Sequence, residues 1–233
     1  MEETDSIKIC APERLLVPVS AASAAVPKWK RGLDVTCIVL TAPVWLPIML
    51  IIGALIKVIS PGPIFFRQER IGFRGQRFTC FKFRTMKVNG EIAVHRNHLN
   101  ELIRNNKPMT KMDAKGDARL IPLARFLRAT GLDELPQLLN VLRGEMSLVG
   151  PRPCIPYEYE CYETWQKRRF EAVPGLTGLW QVSGKDRTTF NEMIQLDVYY
   201  AQNCSLWFDL KIMLKTFPAV FSQVKATGVR PRR

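Results

Sequence analysis

The chain's 233 residues suffice for one domain with a sizeable core, and its 47% hydrophobic and 24% charged content fits a globular protein. Its 34 basic against 21 acidic residues leave a net charge of +13, which suits an anionic partner such as nucleic acid, anionic lipid headgroups or phosphorylated substrates. The six cysteines (Cys10, Cys37, Cys80, Cys154, Cys161 and Cys204) lack the short spacing of a zinc knuckle or redox pair, so they read as reduced thiols in a cytoplasmic context.

Residues 1–27 read as a disordered leader. The start Met1-Glu2-Glu3-Thr4-Asp5 is acidic where a secretory signal would be basic, and Pro18 breaks the Ala/Ser/Val-rich stretch that follows. Residues 28–60 form the membrane element. Within it Val35 to Ile56 is a run of 22 uncharged, mostly apolar residues. At about 1.5 Å per residue a straight helix of that length crosses a bilayer core. Both flanks are basic: Lys28, Lys30 and Arg31 before it, and Lys57, Arg67, Arg70, Arg74 and Arg77 after it, against the single acid Glu69. Basic flanks stay on the cytoplasmic side, so a single crossing would export one cluster. Pro43 and Pro47 also remove donors mid-run. A helix that enters the bilayer, breaks near Pro43 and returns to the same face satisfies both facts; an ordinary kinked transmembrane helix is the alternative. Lys30 and Arg31 read as headgroup contacts.

Residues 61–225 form one cytoplasmic domain. Ser60-Pro61-Gly62-Pro63 stops the helix. A turn at Arg74-Gly75 precedes the aromatic, β-prone stretch Arg77 to Met86, in which Lys82 and Arg84 share a face that could hold a phosphate or be a solvated edge. Gly90 to Arg104 reads as helical, with His95 and His98 as surface residues rather than metal ligands. Further helices are expected over Leu120 to Leu127, from near Leu132 to a cap at Gly144, and over Glu158 to Glu171. Leu206 to Val224 is apolar and aromatic but carries Lys211 and Lys215; an amphipathic helix on the membrane surface fits it better than a core helix. Residues 226–233 are a basic tail.

The chemistry concentrates at Asp133-Glu134. Gly131 breaks the element before it, and Pro136 is tolerated only in a helix's first turn, so both acids sit near a helix N-terminus, where capping is the plain alternative to catalysis. The neighbours are what point to a site. Arg125 and Arg128 lie upstream, and Pro151-Arg152-Pro153 presents an arginine on a stiff turn suited to a fixed anion. Two acids among arginines could hold Mg²⁺ and a diphosphate together, and a carboxylate can itself attack phosphorus.

Seven segments occur in order: Lys30-Arg31-Gly32-Leu33-Asp34, Ser60-Pro61-Gly62-Pro63, Lys82-Phe83-Arg84-Thr85-Met86, Leu132-Asp133-Glu134-Leu135-Pro136-Gln137, Gly150-Pro151-Arg152-Pro153, Pro174-Gly175-Leu176-Thr177-Gly178-Leu179-Trp180-Gln181-Val182 and Leu196-Asp197-Val198-Tyr199-Tyr200. In this the chain resembles the bacterial sugar transferases of the monotopic, short-form phosphoglycosyl transferase type. The resemblance implies an α+β, mainly helical fold: a re-entrant helix-break-helix, interfacial amphipathic helices and a small β element in one cytoplasmic catalytic domain. The family breaks its membrane helix at a Ser-Pro pair; here the match is Ala42-Pro43, without the hydroxyl. The resemblance also implies the reaction. A UDP-sugar, with galactose or glucose expected, donates sugar-1-phosphate to undecaprenyl or another polyprenol phosphate, and UMP leaves. Asp133 would be the nucleophile and Glu134 its partner, both near Mg²⁺. Arg128, Arg152, Lys82 and Arg84 would serve the substrate phosphates, and Asp197 would lie near the site, with packing as its plain role. The implied location is the bacterial inner membrane, cytoplasmic face, starting exopolysaccharide or another glycoconjugate; a homo-oligomer is left open. The rivals are a non-catalytic basic protein that binds membrane lipid and a glycosyltransferase that releases UDP. No recognition motif for nucleic acid accompanies the charge.

Overall fold

A computed structural model describes residues 26–87, 105–106, 120–184 and 188–226. His95, His98 and the helix expected around them lie outside the described residues, as do Cys10, the leader up to residue 25 and the tail from residue 227.

The membrane element is one helix, α1 (Lys28–Ile59), running through both Pro43 and Pro47. The sequence predicts two helices separated near Pro43; the structure instead carries a single helix past it. A proline removes one donor without having to end a helix, and two side chains add bonds to the backbone of this stretch. The Thr41 hydroxyl donates to the Cys37 carbonyl at 2.6 Å, and the Trp45 indole N–H reaches back two turns to the Ile38 carbonyl at 3.0 Å. Of the described helices, α1 alone is long and apolar enough to cross a membrane, with a mean hydropathy of 2.4 over its most apolar window.

Both ends of α1 dock on the same domain. Ile38 in the first arm packs with Cys80, Leu138, Val141 and Met146, and Ile52 and Ile56 in the last arm pack with Phe83, Ile121, Ala124 and Leu127. Leu135 borders both clusters. Between the arms lie bare apolar residues, including Leu40, Val44, Leu50 and Ile51. Water would not tolerate so continuous an apolar surface, and lipid would.

After the Ser60–Pro63 turn come β1 (Phe65–Ile71) and β2 (Arg77–Phe83), an antiparallel hairpin whose register sets Phe66 opposite Lys82. Its turn uses positive φ at Arg74 and Gly75, where the sequence predicts the reversal. Then follow α2 (Ala124–Thr130), a 3-10 turn (Leu132–Glu134) and α3 (Gln137–Arg143), capped by Gly144 at φ 83°. The expected helix from Leu132 therefore starts later, because Pro136 serves as its N-cap. A short parallel sheet joins β3 (Ser147–Val149) to β4 (Gly175–Thr177). Between these strands the stretch expected as one helix is two pieces, α4 (Pro156–Glu160) and a 3-10 segment (Gln166–Glu171). The chain closes with α5 (Leu179–Val182), α6 (Phe190–Asn203) and α7 (Leu206–Ala226).

The main core gathers around α6, where Phe190, Met193, Ile194 and Tyr200 pack with Trp180, Phe170, Tyr162 and Ile212. Helix α7 buries Asp209 and Ile212 on one side and leaves Trp207, Leu214, Phe217 and Phe221 exposed. Those four recur at helical spacing, giving the one-sided apolar face expected of an interfacial helix. The five described cysteines are free thiols.

Candidate active site

Gly131, at φ 73°, ends α2 and reverses the chain, and the 3-10 turn that follows carries Asp133 and Glu134 just ahead of α3. Both acids are partly exposed. The Lys82 Nζ on β2 donates to Glu134 Oε1 at 2.5 Å, so this lysine meets the acid pair directly. Arg128 lies in the last turn of α2, five positions before Asp133 and across the Gly131 reversal. Asn140 on α3 ties the unit together: its amide donates to the Thr79 carbonyl at 2.7 Å and accepts from the Phe81 N–H at 3.1 Å. That holds β2, and hence Lys82, against the helix that follows the acids.

Arg152 is fixed by its backbone. The Gly150 N–H donates to the Thr177 carbonyl at 2.8 Å, and the Gly175 N–H donates to the Pro151 carbonyl at 2.9 Å. The strands meet so closely that a Cβ on Gly150 would stand 2.1 Å from the Val173 carbonyl, and one on Gly175 2.0 Å from the Gly150 nitrogen. Two of the sequence segments, Gly150–Pro153 and Pro174–Gly178, are thus one interlocked unit. Beneath it lies a buried ionic network. Arg169 donates to the Arg152 carbonyl at 2.8 Å and to the Tyr162 hydroxyl at 2.7 Å, and pairs with Asp197 at 2.5 Å. Arg70 donates to the Pro153 carbonyl at 3.1 Å, and Glu158 accepts from the Tyr162 hydroxyl at 2.6 Å.

The electrostatics follow from burial. It pushes Asp197 up to about 6 against the pull of Arg169 and Arg152. Burial alone would also raise Glu158, but Arg152 and Arg169 hold it below its usual range. Burial, and then the neighbouring Arg152 cation, pulls Arg70 down. The Glu158 carboxylate offsets both Arg70 and Arg152, and Arg152 is the half-buried one of the two. The buried Cys80 thiol joins the halves of the site: burial raises its pKa, and it also feels Lys82, Arg70, Glu134 and Arg152. The Lys82–Glu134 pair and the Arg152 turn therefore lie within electrostatic reach of one side chain.

Other residues proposed from the sequence lie elsewhere. Arg84 is buried and donates to the Ser60 and Pro61 carbonyls at 2.6 and 2.7 Å, so it caps the end of α1 rather than facing substrate. Asp197 is buried under the Arg152 turn and paired with Arg169. Lys30 is not a headgroup contact: it is 2% exposed and binds Asp209, Tyr200 and the Val149 carbonyl. Arg31 donates to the Val141 and Leu142 carbonyls at the end of α3. The sequence reading missed Arg70, Glu158, Tyr162 and Arg169, none of which stands in one of the seven segments.

Among the described residues no group of three or more His, Cys, Asp or Glu side chains could hold a metal ion. Asp133 and Glu134 supply two carboxylates, one already on Lys82. That donor set fits a Mg²⁺ completed by substrate phosphates and water, and not a cation held by protein alone.

Residues 25–223 match the family described as bacterial sugar transferase, and the chain belongs to that family. It is 41% identical over 196 residues to the exopolysaccharide production protein ExoY of Sinorhizobium fredii, covering 82% of this chain and 84% of that one. It is 40% identical over 201 residues to the UDP-glucose:undecaprenyl-phosphate glucose-1-phosphate transferase of Caulobacter vibrioides, covering 83% and 70%. To the undecaprenyl-phosphate galactose phosphotransferase of Salmonella typhimurium it is 37% identical over 191 residues, covering 82% and 40%.

Proposed function

We propose that this chain is an undecaprenyl-phosphate sugar-1-phosphate transferase that uses UDP-glucose or UDP-galactose and begins a polysaccharide chain. The observation that carries the reading is the acid turn at Asp133-Glu134, with Glu134 gripped by Lys82, in a chain of this family. An Asp133 carboxylate oxygen attacks the β-phosphorus of the UDP-sugar, the bond from that phosphorus to the bridging oxygen breaks, and UMP leaves with the electron pair. The lipid phosphate then attacks the same phosphorus and the acyl-phosphate bond breaks, restoring the carboxylate. Arg152, and Arg128 with it, offset the phosphate charge as it redistributes. Lys82 holds Glu134 in place. Asp133 and Glu134, with substrate oxygens, would hold Mg²⁺, which would supply charge neutralisation at the diphosphate.

The docking of α1 supports a re-entrant membrane arrangement. A straight helix of 32 residues is about 48 Å long. Both of its ends pack on one domain that borders Leu135, and the bare apolar stretch lies between them. This favours a helix that dips into the bilayer and returns over one that spans it, with the domain on the cytoplasmic face where nucleotide sugars are made. The exposed apolar face of α7 would rest on the same surface.

Asp133→Asn tests the reading. UMP release from a UDP-sugar with polyprenol phosphate should fall at least about a thousandfold, while sedimentation with vesicles is unchanged. Turnover retained in Asp133→Asn, or UDP as the nucleotide released by the unaltered enzyme, would overturn it.

A further inference from the structure

Between the end of α1 and the start of β1 lies a groove of about 620 Å³, with Pro63, Ile64, Phe65 and Phe66 along it and Lys57 and Arg67 at its edges. Among the described residues no acid lines it; the nearest in sequence, Glu69, is paired with Arg77 at 3.1 Å. Beside it Leu55, Val58 and Ile59 expose apolar side chains, and Val58 is 85% exposed. The groove therefore opens where the lipid-facing helix meets the domain. A ligand that matches it has an apolar tail and an anionic head.

The groove's inner wall leads toward the acids. Ile64 and Phe65 pack on the same apolar cluster as Leu132 and Leu135, the residues that bracket Asp133 and Glu134. Phe66 stands opposite Lys82 in the β1–β2 ladder, and Lys82 holds Glu134. Arg67 is steered by its own packing, with its guanidinium 5.9 Å from the Phe81 ring centre. We propose that this groove seats the lipid acceptor: the first isoprene units lie along Ile64, Phe65 and Phe66, and Lys57 and Arg67 receive its phosphate as it approaches the acid turn. This rests on the transferase reading above. A bulk phospholipid headgroup shares the phosphate chemistry, but nothing about it requires a path toward Asp133, so the acceptor is the occupant the contacts favour.

The test separates the two half-reactions. With UDP-sugar alone, Lys57→Gln and Arg67→Gln should release the same single equivalent of UMP per enzyme as the unaltered protein. With polyprenol phosphate added, the acceptor KM should rise about fivefold for each cation removed and roughly 25-fold for both, with Lys57→Arg restoring it. An unchanged acceptor KM overturns the proposal. Loss of sedimentation with anionic phospholipid vesicles that lack polyprenol phosphate, with acceptor KM in detergent unchanged, assigns the groove to bulk lipid and also overturns it. If the unaltered enzyme gives no UMP, the transferase reading fails separately. The groove is then judged by direct binding of a radiolabelled short-chain polyprenyl phosphate, where the double variant must bind at least tenfold more weakly than the unaltered protein for the proposal to stand.

Discussion

The Lys30–Asp209 and Lys82–Glu134 ion pairs have the same N–O distance, 2.5 Å, and opposite surroundings. In the first, the side chains are 3% and 1% exposed, the Tyr200 hydroxyl donates to Asp209 and the Val149 carbonyl accepts from Lys30, so every charge is matched away from water. In the second they are 27% and 36% exposed, on a turn that reaches solvent. The buried pair clips the first arm of α1 to α6, α7 and β3. On the proposed mechanism the open pair would exchange partners when a diphosphate arrives. Equal geometry thus anchors a helix where it is buried, and leaves a pair that ligand and water can reach where it is open.

The comparison breaks most visibly at Asp209. Asp209→Ala leaves the Lys30 ammonium bonded to one hydroxyl and one carbonyl, with only the Asp34 carboxylate nearby to offset its charge. It should cost about 3–5 kcal/mol and lower the yield of folded protein from membranes. The double variant Lys30→Met, Asp209→Leu should recover most of the thermal midpoint, since a well-packed apolar pair can replace a buried ionic one. If Asp209→Ala melts like the unaltered protein, the pair does not anchor α1. Lys82→Gln is the counterpart. Its effect on the thermal midpoint should be small, about 1 kcal/mol or less for so exposed a pair. On the proposed mechanism turnover should nevertheless fall about a hundredfold, because Glu134 would lose the cation that holds it.

The legibility of the chain divides along the same line. Where a residue's role depends on local chain chemistry, the sequence sufficed: the stop at Pro61–Pro63, the hairpin turn at Arg74-Gly75, the cap at Gly144, and the acids between Gly131 and Pro136. The apolar stripe of α7 was legible from its spacing. Where the role depends on what lies across the fold, it did not suffice. Lys30 and Arg31 read as headgroup contacts because a cation beside an apolar run usually faces lipid phosphate, and nothing local announces Asp209, 179 positions away. Arg84 reads as a phosphate ligand because it shares a strand face with Lys82, while its carbonyl partners lie at the end of α1. Arg169 sits in a polar stretch that passes for an exposed helix, yet it is 1% exposed. At Pro43 the expectation of two separate helices meets a single helix, Lys28–Ile59, because a proline costs one donor without having to end the helix.

The network under Arg152 gives a smaller, pH-dependent effect. Burial holds Asp197 at about 6, above its ordinary 3.8, so the folded chain takes up this proton at a higher pH than the unfolded chain. The group's contribution to stability is therefore full below about 4 and is lost as pH rises through about 6. Glu158 runs the opposite way: its lowered pKa contributes above its ordinary 4.5 and is lost on acidification. Comparing the unaltered protein with Asp197→Asn leaves Glu158 common to both. The thermal midpoint of the unaltered protein should fall relative to Asp197→Asn as pH rises from about 4 to 7. A difference that is flat in pH would mean that Asp197 titrates alike in the folded and unfolded chains.

The smallest expected effect lies in α1. Trp45→Phe keeps an aromatic ring against the cluster of Ile38, Cys80 and Leu138 but removes the N–H that the Ile38 carbonyl accepts. The loss of one such bond in a partly buried setting is worth about 1 kcal/mol. Thr41→Val removes the neighbouring hydroxyl, which bonds the carbonyls of Cys37 and Ile38. Both variants touch the same carbonyl, so their effects on the thermal midpoint should be more than additive. The Ile38 carbonyl survives either single loss with one side-chain donor and keeps neither after both. Strict additivity would mean that the two side chains act independently and that proline, not their shared carbonyl, sets the local strength of the helix.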